Sequence, residues 1–186
     1  GTARQMESEI KRLVQQEHVT SLILDLRYAD GKNFAEVSAT GAVFFSDARP
    51  LFTIQRGSGV QAYTTTPTGF STEAPLVVLV NRETQGAAET LAATLQDQGR
   101  ALLIGRSATA GQAFETSDTK LSNGKILRFA TGKITLTRGG EFFLKNARPD
   151  ISVLFDSKVE KEIWEQPFQA AQVHVEARFF SEAIFT

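Results

Sequence analysis

The run PLVVLV at 75–80 and the shorter ALLIG at 101–105 constrain this chain more than anything else in it. Continuous apolar segments of this length, rich in Val, Leu and Ile, suit strands that are covered on both faces. Between them Ala88, Leu91, Ala92 and Leu95 recur at helical spacing, so a helix with one apolar stripe joins the two strands. A strand, a crossover helix and a second buried strand make a parallel pair. VTSLILDL at 19–26, with Leu22, Ile23 and Leu24 in succession, supplies a third buried strand of the same kind. The expected class is therefore a layered α/β domain with a partly parallel sheet.

The remaining segments fit around that unit. Thr2 and Gln5 have capping-box spacing ahead of Met6, Ile10, Leu13 and Val14, which predicts an amphipathic helix over 3–17. A second helix is expected over 34–45. LFTIQR (51–56) and QAYTTT (61–66) alternate across a Gly-Ser-Gly turn and read as paired strands. From residue 120 the texture changes: Asn123-Gly124 and Thr131-Gly132 punctuate alternating segments, which predicts antiparallel hairpins in the C-terminal third. Pro149-Asp150 breaks the chain before ISVLF, and KVEKEIW (158–164) predicts a short helix. The tail with Val173, Val175, Phe179, Phe180 and Phe185 is expected to pack on the core or on a neighbouring copy, the latter making a homo-oligomer. This divides the chain into an α/β domain over 1–156 and a C-terminal helix and apolar tail over 157–186.

Composition removes several functional classes. With no cysteine, thiolate catalysis, disulfides and a Cys-based metal site are excluded. His18 and His174 are the only histidines, so no metal centre is expected, and no motif asks for a cofactor. Twenty basic against twenty-one acidic residues, with no basic stripe, leave no nucleic-acid footprint. The apolar runs are too short to span a membrane. Opening at Gly1-Thr2 on a helix start, without a signal peptide, the chain looks like an excised domain.

Candidate sites lie where buried strands end in small-residue loops. The loop Arg27–Asn33 turns through Asp30-Gly31, either as a plain β-to-α turn or with its N–H groups aimed at a ligand. At Gln85-Gly86-Ala87-Ala88 a helix begins, where unpaired N–H groups attract anions or carbonyl oxygens, unless the small residues serve only close packing. Ser107 and Thr109 lie in a third such loop and are nucleophiles by type, with no histidine or lysine close in sequence to activate them. Glu83 and Glu89 flank the helix start, where the dipole favours carboxylates. Asp97 with Arg100, and Asp25 with Arg27, are spaced for local ion pairs. His174 suits a partly buried strand position.

Two stretches taken together are more specific. LILDLRYADG (22–31), followed by PLVVLVNRETQGAAETLAATLQDQGRALLIGRSATAGQA (75–113), resembles the catalytic domain of the C-terminal processing, or tail-specific, serine peptidases. That family shows D-L-R-x-N-x-G-G after the first strand, P-L-V-V-L-V-N, then S-A-S-A-S-E opening a helix that ends Q-D-x-G-R-A. After a further strand comes G-E-x-T-F-G-K-G. KITLTRGGEFF and Lys145–Ile151 echo later segments, so the likeness runs from about 2 to 153. It implies a crotonase-like, Clp-protease-like α/β fold of repeated ββα units.

Position by position, the resemblance puts the nucleophilic serine three residues before Glu89, at Gly86, and the general-base lysine at Gly111. Glu115 stands at an orienting glutamine position. Gly31 and Ala87 match the backbone donors of the oxyanion hole, and Gln96, Asp97, Gly99 and Arg100 match the helix end. Thr84–Glu89 with Thr109–Gly111 also resembles the modules of interphotoreceptor retinoid-binding protein, which share the peptidase fold but bind hydrophobic ligands. Glycine offers neither a nucleophile nor a base, so the expectation is an inactive, peptidase-like domain. Such a domain would retain a cleft for a peptide, an unfolded protein C-terminus or a hydrophobic small molecule. Two alternatives stay open: a hydrolase with a rearranged site using Ser107 or Thr109 with Glu115 or Asp97, and a structural or assembly domain. The resemblance further implies a periplasmic or otherwise extracytoplasmic setting, commonly with a PDZ module elsewhere in the full chain.

Overall fold

A computed structural model describes residues 1–167; the tail from Val173 to Phe185 and His174 lie outside the described residues. In chain order the elements are α1 (Thr2–Gln15), β1 (Leu22–Asp25), α2 (Phe34–Gly41), β2 (Pro50–Arg56), β3 (Gly59–Thr64), β4 (Leu76–Val80), α3 (Gly86–Asp97), β5 (Leu102–Gly105), β6 (Phe114–Lys120), β7 (Ile126–Leu136), β8 (Gly140–Glu141), β9 (Ile151–Ser152) and α4 (Ser157–Glu165). The strands β1, β4, β5 and β9 form a parallel sheet in that spatial order. A second sheet, ordered β3-β2-β7-β6 with β8 added to β7, is antiparallel.

Leu76, Val78 and Val80 of β4, with Leu103 of β5, point one way and share one buried cluster with Leu91, Ala92 and Leu95 of α3. Phe52, Leu51 and Ile54 of β2 and Ile134 of β7 continue the same core from the antiparallel sheet. Each such side chain contributes about 1.5–3 kcal/mol by leaving water, so this contiguous cluster fixes how the two sheets meet.

Four local expectations are corrected. The first helix begins at Thr2 with Gly1 as its N-cap and no side-chain cap; the Glu36 carboxylate from α2 accepts the Ala3 N–H at 2.9 Å instead, so a tertiary contact displaces the capping box. The run 22–24 is not buried throughout, because β1 is an edge strand and Ile23 is 72% exposed. The second helix stops at Gly41: Val43, Phe44 and Phe45 are all buried, which consecutive residues set 100° apart on a helix cannot achieve on one face. Thr131-Gly132 is no turn but a bulge inside the continuous β7, where pairing with β6 shifts between Glu115 and Thr116. Asn123-Gly124, by contrast, does turn the chain between β6 and β7.

Candidate functional site

Because β1, β4 and β5 run parallel, the loops leaving them emerge at one edge of the sheet, where open α/β sheets place their ligands. Those loops carry Gly31 and Gly111, and the one after β4 runs into Gly86, the first residue of α3. They are stitched together. Thr84, fully buried, donates its hydroxyl to Leu26 O at 2.8 Å and accepts the Asn81 N–H at 3.1 Å. The Asn81 side-chain oxygen receives Tyr28 N–H at 3.2 Å and Glu83 N–H at 3.0 Å. Gln85 N–H reaches Ala29 O at 3.0 Å.

The third loop is held by Glu89. This first-turn glutamate of α3 has no solvent exposure and accepts from the Thr109 hydroxyl, from Gly111 N–H at 2.7 Å and from Gln112 N–H at 2.8 Å. Burial pushes its carboxyl above the usual range, opposed by the hydrogen bonds it receives. The helix dipole alone does not account for Glu89: it is the brace that ties the Gly111 loop to the start of α3. Ala110 N–H adds a bond to Thr84 O at 3.0 Å. The positions assigned by resemblance to nucleophile and base thus lie in two loops joined through one buried carboxylate.

Both positions have left-handed backbone, φ +60 at Gly86 and +73 at Gly111. Around Gly111 there is room, since the atoms nearest to a Cβ, Lys145 O at 3.7 Å and Leu144 O at 3.9 Å, lie at ordinary contact distance. At Gly86 there is none: a Cβ would sit on the Gly31 carbonyl oxygen, inside van der Waals distance. The same oxygen accepts the Ala87 N–H at 2.8 Å. Gly31 and Ala87, assigned as the two oxyanion donors, are brought together, yet Gly31 turns its acceptor toward Ala87 and occupies that donor.

The fallback residues do not assemble a second centre. Thr109 is 4% exposed and its hydroxyl, besides donating to Glu89, accepts Ala147 N–H at 2.8 Å. The Ser107 hydroxyl is buried without a hydrogen-bond partner among the described residues. Glu115 pairs with Arg56, whose NH2 group lies 2.6 Å from it, and this holds the guanidinium more firmly protonated. Asp97 accepts Arg138 N–H at 3.0 Å and Gly139 N–H, so it does not pair with Arg100. Arg100 instead binds the carbonyls of Phe44, Thr72 and Ala74 at 2.8–3.0 Å, and Gln96 reaches Arg148 O and Asp150 at 2.9 Å. These helix-end residues are staples of the fold. Asp25 and Arg27 do pair, at 2.7 Å.

Sequence reasoning missed Glu160. It is 4% exposed on α4, with one carboxylate oxygen unpartnered among the described residues, and burial raises its carboxyl despite the nearby Arg27 and Arg106. Trp164 of the same helix lies 4.9 Å from the Tyr28 ring, and Arg106 donates to Phe155 O at 2.8 Å just before the helix. Nothing in KVEKEIW distinguishes its one buried glutamate from the exposed ones. Among the described residues no group of His, Asp and Glu is arranged to hold a metal ion, and no helix is long and apolar enough to cross a membrane.

Two cavities flank the Gly31 loop. One, of about 170 Å³, is lined by Gly31, Lys32, Phe34, Phe114, Glu115 and neighbouring threonines of β6 and β7. The other, of about 280 Å³, lies among α1, α2 and α3, with Met6, Leu26, Val37, Ala87 and Leu91 in its wall.

The model of peptidase family S41 matches residues 1–153. A carboxyl-terminal-processing protease from Picosynechococcus sp. is 32% identical over 120 residues, 64% of this chain and 28% of that protein. The chloroplastic carboxyl-terminal-processing peptidase 3 of Arabidopsis thaliana is 35% identical over 133 residues, 70% of this chain and 25% of that protein. The chain therefore spans between a quarter and a third of the length of these relatives. Among solved structures, the photosystem II D1 C-terminal processing protease superposes with a TM-score of 0.68 at 25% identity, covering 82% of this chain and 39% of that one. Mature CPAF in complex with lactacystin gives a TM-score of 0.71 at 12% identity, covering 84% and 43%, a likeness of fold alone. The fold is the Clp-protease-like α/β arrangement, and the chain belongs to peptidase family S41.

Proposed function

We propose that this S41 domain is catalytically inactive and binds the C-terminal end of an extended peptide or unfolded protein beside its Gly31 loop. The observation that carries the reading is the pair Gly86 and Gly111: the two loops are held together by Glu89, yet neither position offers a nucleophile or a base. A rearranged hydrolase is disfavoured because Thr109 is buried and bonded on both sides, and because Glu115 and Asp97 are engaged elsewhere.

For binding, β6 offers an edge: it pairs with β7 on one side only among the described residues, so an extended peptide can add to its free side. The 170 Å³ cavity opens beside that edge, with Phe34 and Phe114 for an apolar side chain and Lys32 for a terminal carboxylate. Fluorescence anisotropy with a labelled apolar peptide tests this. The free acid is expected to bind at least about tenfold more tightly than its amide, a difference removed by Lys32→Glu, and the peptide should be recovered uncut. Equal binding of acid and amide, or a cut peptide, contradicts the reading.

A second reading has its own support in the 280 Å³ cavity, whose apolar wall suits a hydrophobic small molecule. Displacement of a bound fluorescent fatty acid by unlabelled ligand, weakened by Leu91→Gln, is the result expected of it; binding unchanged by that substitution contradicts it. The names of two relatives place them in chloroplasts, and we extend to this chain an extracytoplasmic or organellar setting.

A further inference from the structure

We propose that the Gly31 carbonyl oxygen is a stopper for the anion notch at the start of α3, and that the glycine at 86 is what admits it. This rests on the reading of 86 as the former nucleophile position; its test needs neither ligand nor activity.

The first N–H groups of a helix lack intrahelical partners and carry partial positive charge. In α3 the N-cap residue, Gln85, makes no side-chain capping bond. The missing cap comes from another loop: Gly31 O accepts the Ala87 N–H at 2.8 Å. The notch that would stabilise an external oxyanion is thus filled by an internal carbonyl, and a catalytic feature has become a helix cap.

The filling is possible only without a side chain at 86. With φ at +60, a Cβ there would coincide with the space taken by the Gly31 oxygen. Backbone atoms cannot swing away as the end of a flexible side chain can. Any residue with a Cβ, serine included, must therefore rotate the Gly31–Lys32 peptide plane, which withdraws the oxygen and releases the Ala87 N–H to an outside acceptor. Gly31 is a fitting hinge. It has no Cβ, and one added there would press on the Ala87 methyl at 3.2 Å. The anchors that precede it in the loop, Gln85 N–H to Ala29 O and the Thr84 hydroxyl to Leu26 O, do not involve the rotating plane. Nucleophile and open notch are therefore one coupled state, and glycine at 86 with a closed notch is the other.

Nuclear magnetic resonance on the native chain and two variants tests this. The native chain is expected to show scalar coupling across the hydrogen bond from Ala87 N to Gly31 C′. In Gly86→Ala that coupling should vanish and exchange of the Ala87 amide should rise by about tenfold or more, with the amides from Leu91 to Leu95 unchanged. Gly99→Ala is the control. Its φ of +67 imposes the same backbone strain but its Cβ would meet nothing within 4 Å, so the Ala87 coupling and exchange should stay native. No coupling in the native chain overturns the proposal, as does coupling that survives in Gly86→Ala. A Gly86→Ala chain that fails to fold where Gly99→Ala folds also overturns it, since the oxygen then has no second position.

Discussion

Glu89 receives its hydrogen bonds on both oxygens from a hydroxyl and two amides, and has no solvent exposure. An amide side chain in its place turns an NH2 toward donors that need an acceptor. Glu89→Gln is therefore expected to cost about 1–3 kcal/mol, read from the urea midpoint, because a buried donor is left facing a donor. A variant as stable as the native chain would contradict the bracing role. Residue identity told part of this in advance. The family resemblance located Gly86 and Gly111, since those positions are counted along the chain from Glu89. The brace itself was not legible, because a glutamate in a first turn already has a sufficient explanation in the helix dipole, and its partners lie twenty or more residues on. Asp97 and Arg100 misled for the complementary reason. Proximity in sequence suggested a pair, while amides at 138–139 and three carbonyls from distant loops competed better for them.

At the scale of elements, α4 was legible as a helix, expected over 158–164 and found over Ser157–Glu165, but its packing was not. It lies beyond the matched residues 1–153, yet Glu160 is buried beside Arg27, and Trp164 reaches Tyr28 in the loop that leads to Gly31. Burial favours the protonated carboxyl, so the folded chain keeps the Glu160 proton to higher pH than the unfolded chain, whose glutamate has the ordinary value of 4.5. Below that value both states hold the proton and the group's contribution to stability is complete. As pH rises, the unfolded chain releases the proton first and stability falls until the folded carboxyl ionises. Glu160→Gln removes this slope, so from pH 4.5 toward neutrality the stability difference is expected to move in the variant's favour. Trp164, the sole tryptophan, reports α4 directly through its emission. A difference that stays flat, or moves toward the native chain, would contradict the assignment. The strands and helices that could be read from the sequence were those whose periodicity is decided locally, such as β4 and α3. Those misread, the exposed Ile23 and the bulge at Thr131-Gly132, depend on which neighbours a strand acquires.

For the whole molecule, the parallel order of β1, β4 and β5 brings three loops to one edge, where hydrogen bonds from Thr84, Gln85, Ala110 and Glu89 tie them together. Layered α/β architecture was legible because buried strands and a striped helix leave few arrangements open. The closed notch was not, because a carbonyl's direction is written in no side chain. The proposed inactivity is that of a retained S41 scaffold without its reactive groups. Incubation of an unfolded protein substrate with the native chain, beside a Gly86→Ser/Gly111→Lys variant, tests it most directly. The account predicts that the native chain leaves the substrate intact and that the variant, with its notch reopened by the serine Cβ, cuts it. Cleavage by the native chain that is lost in Ser107→Ala or Thr109→Val would contradict it.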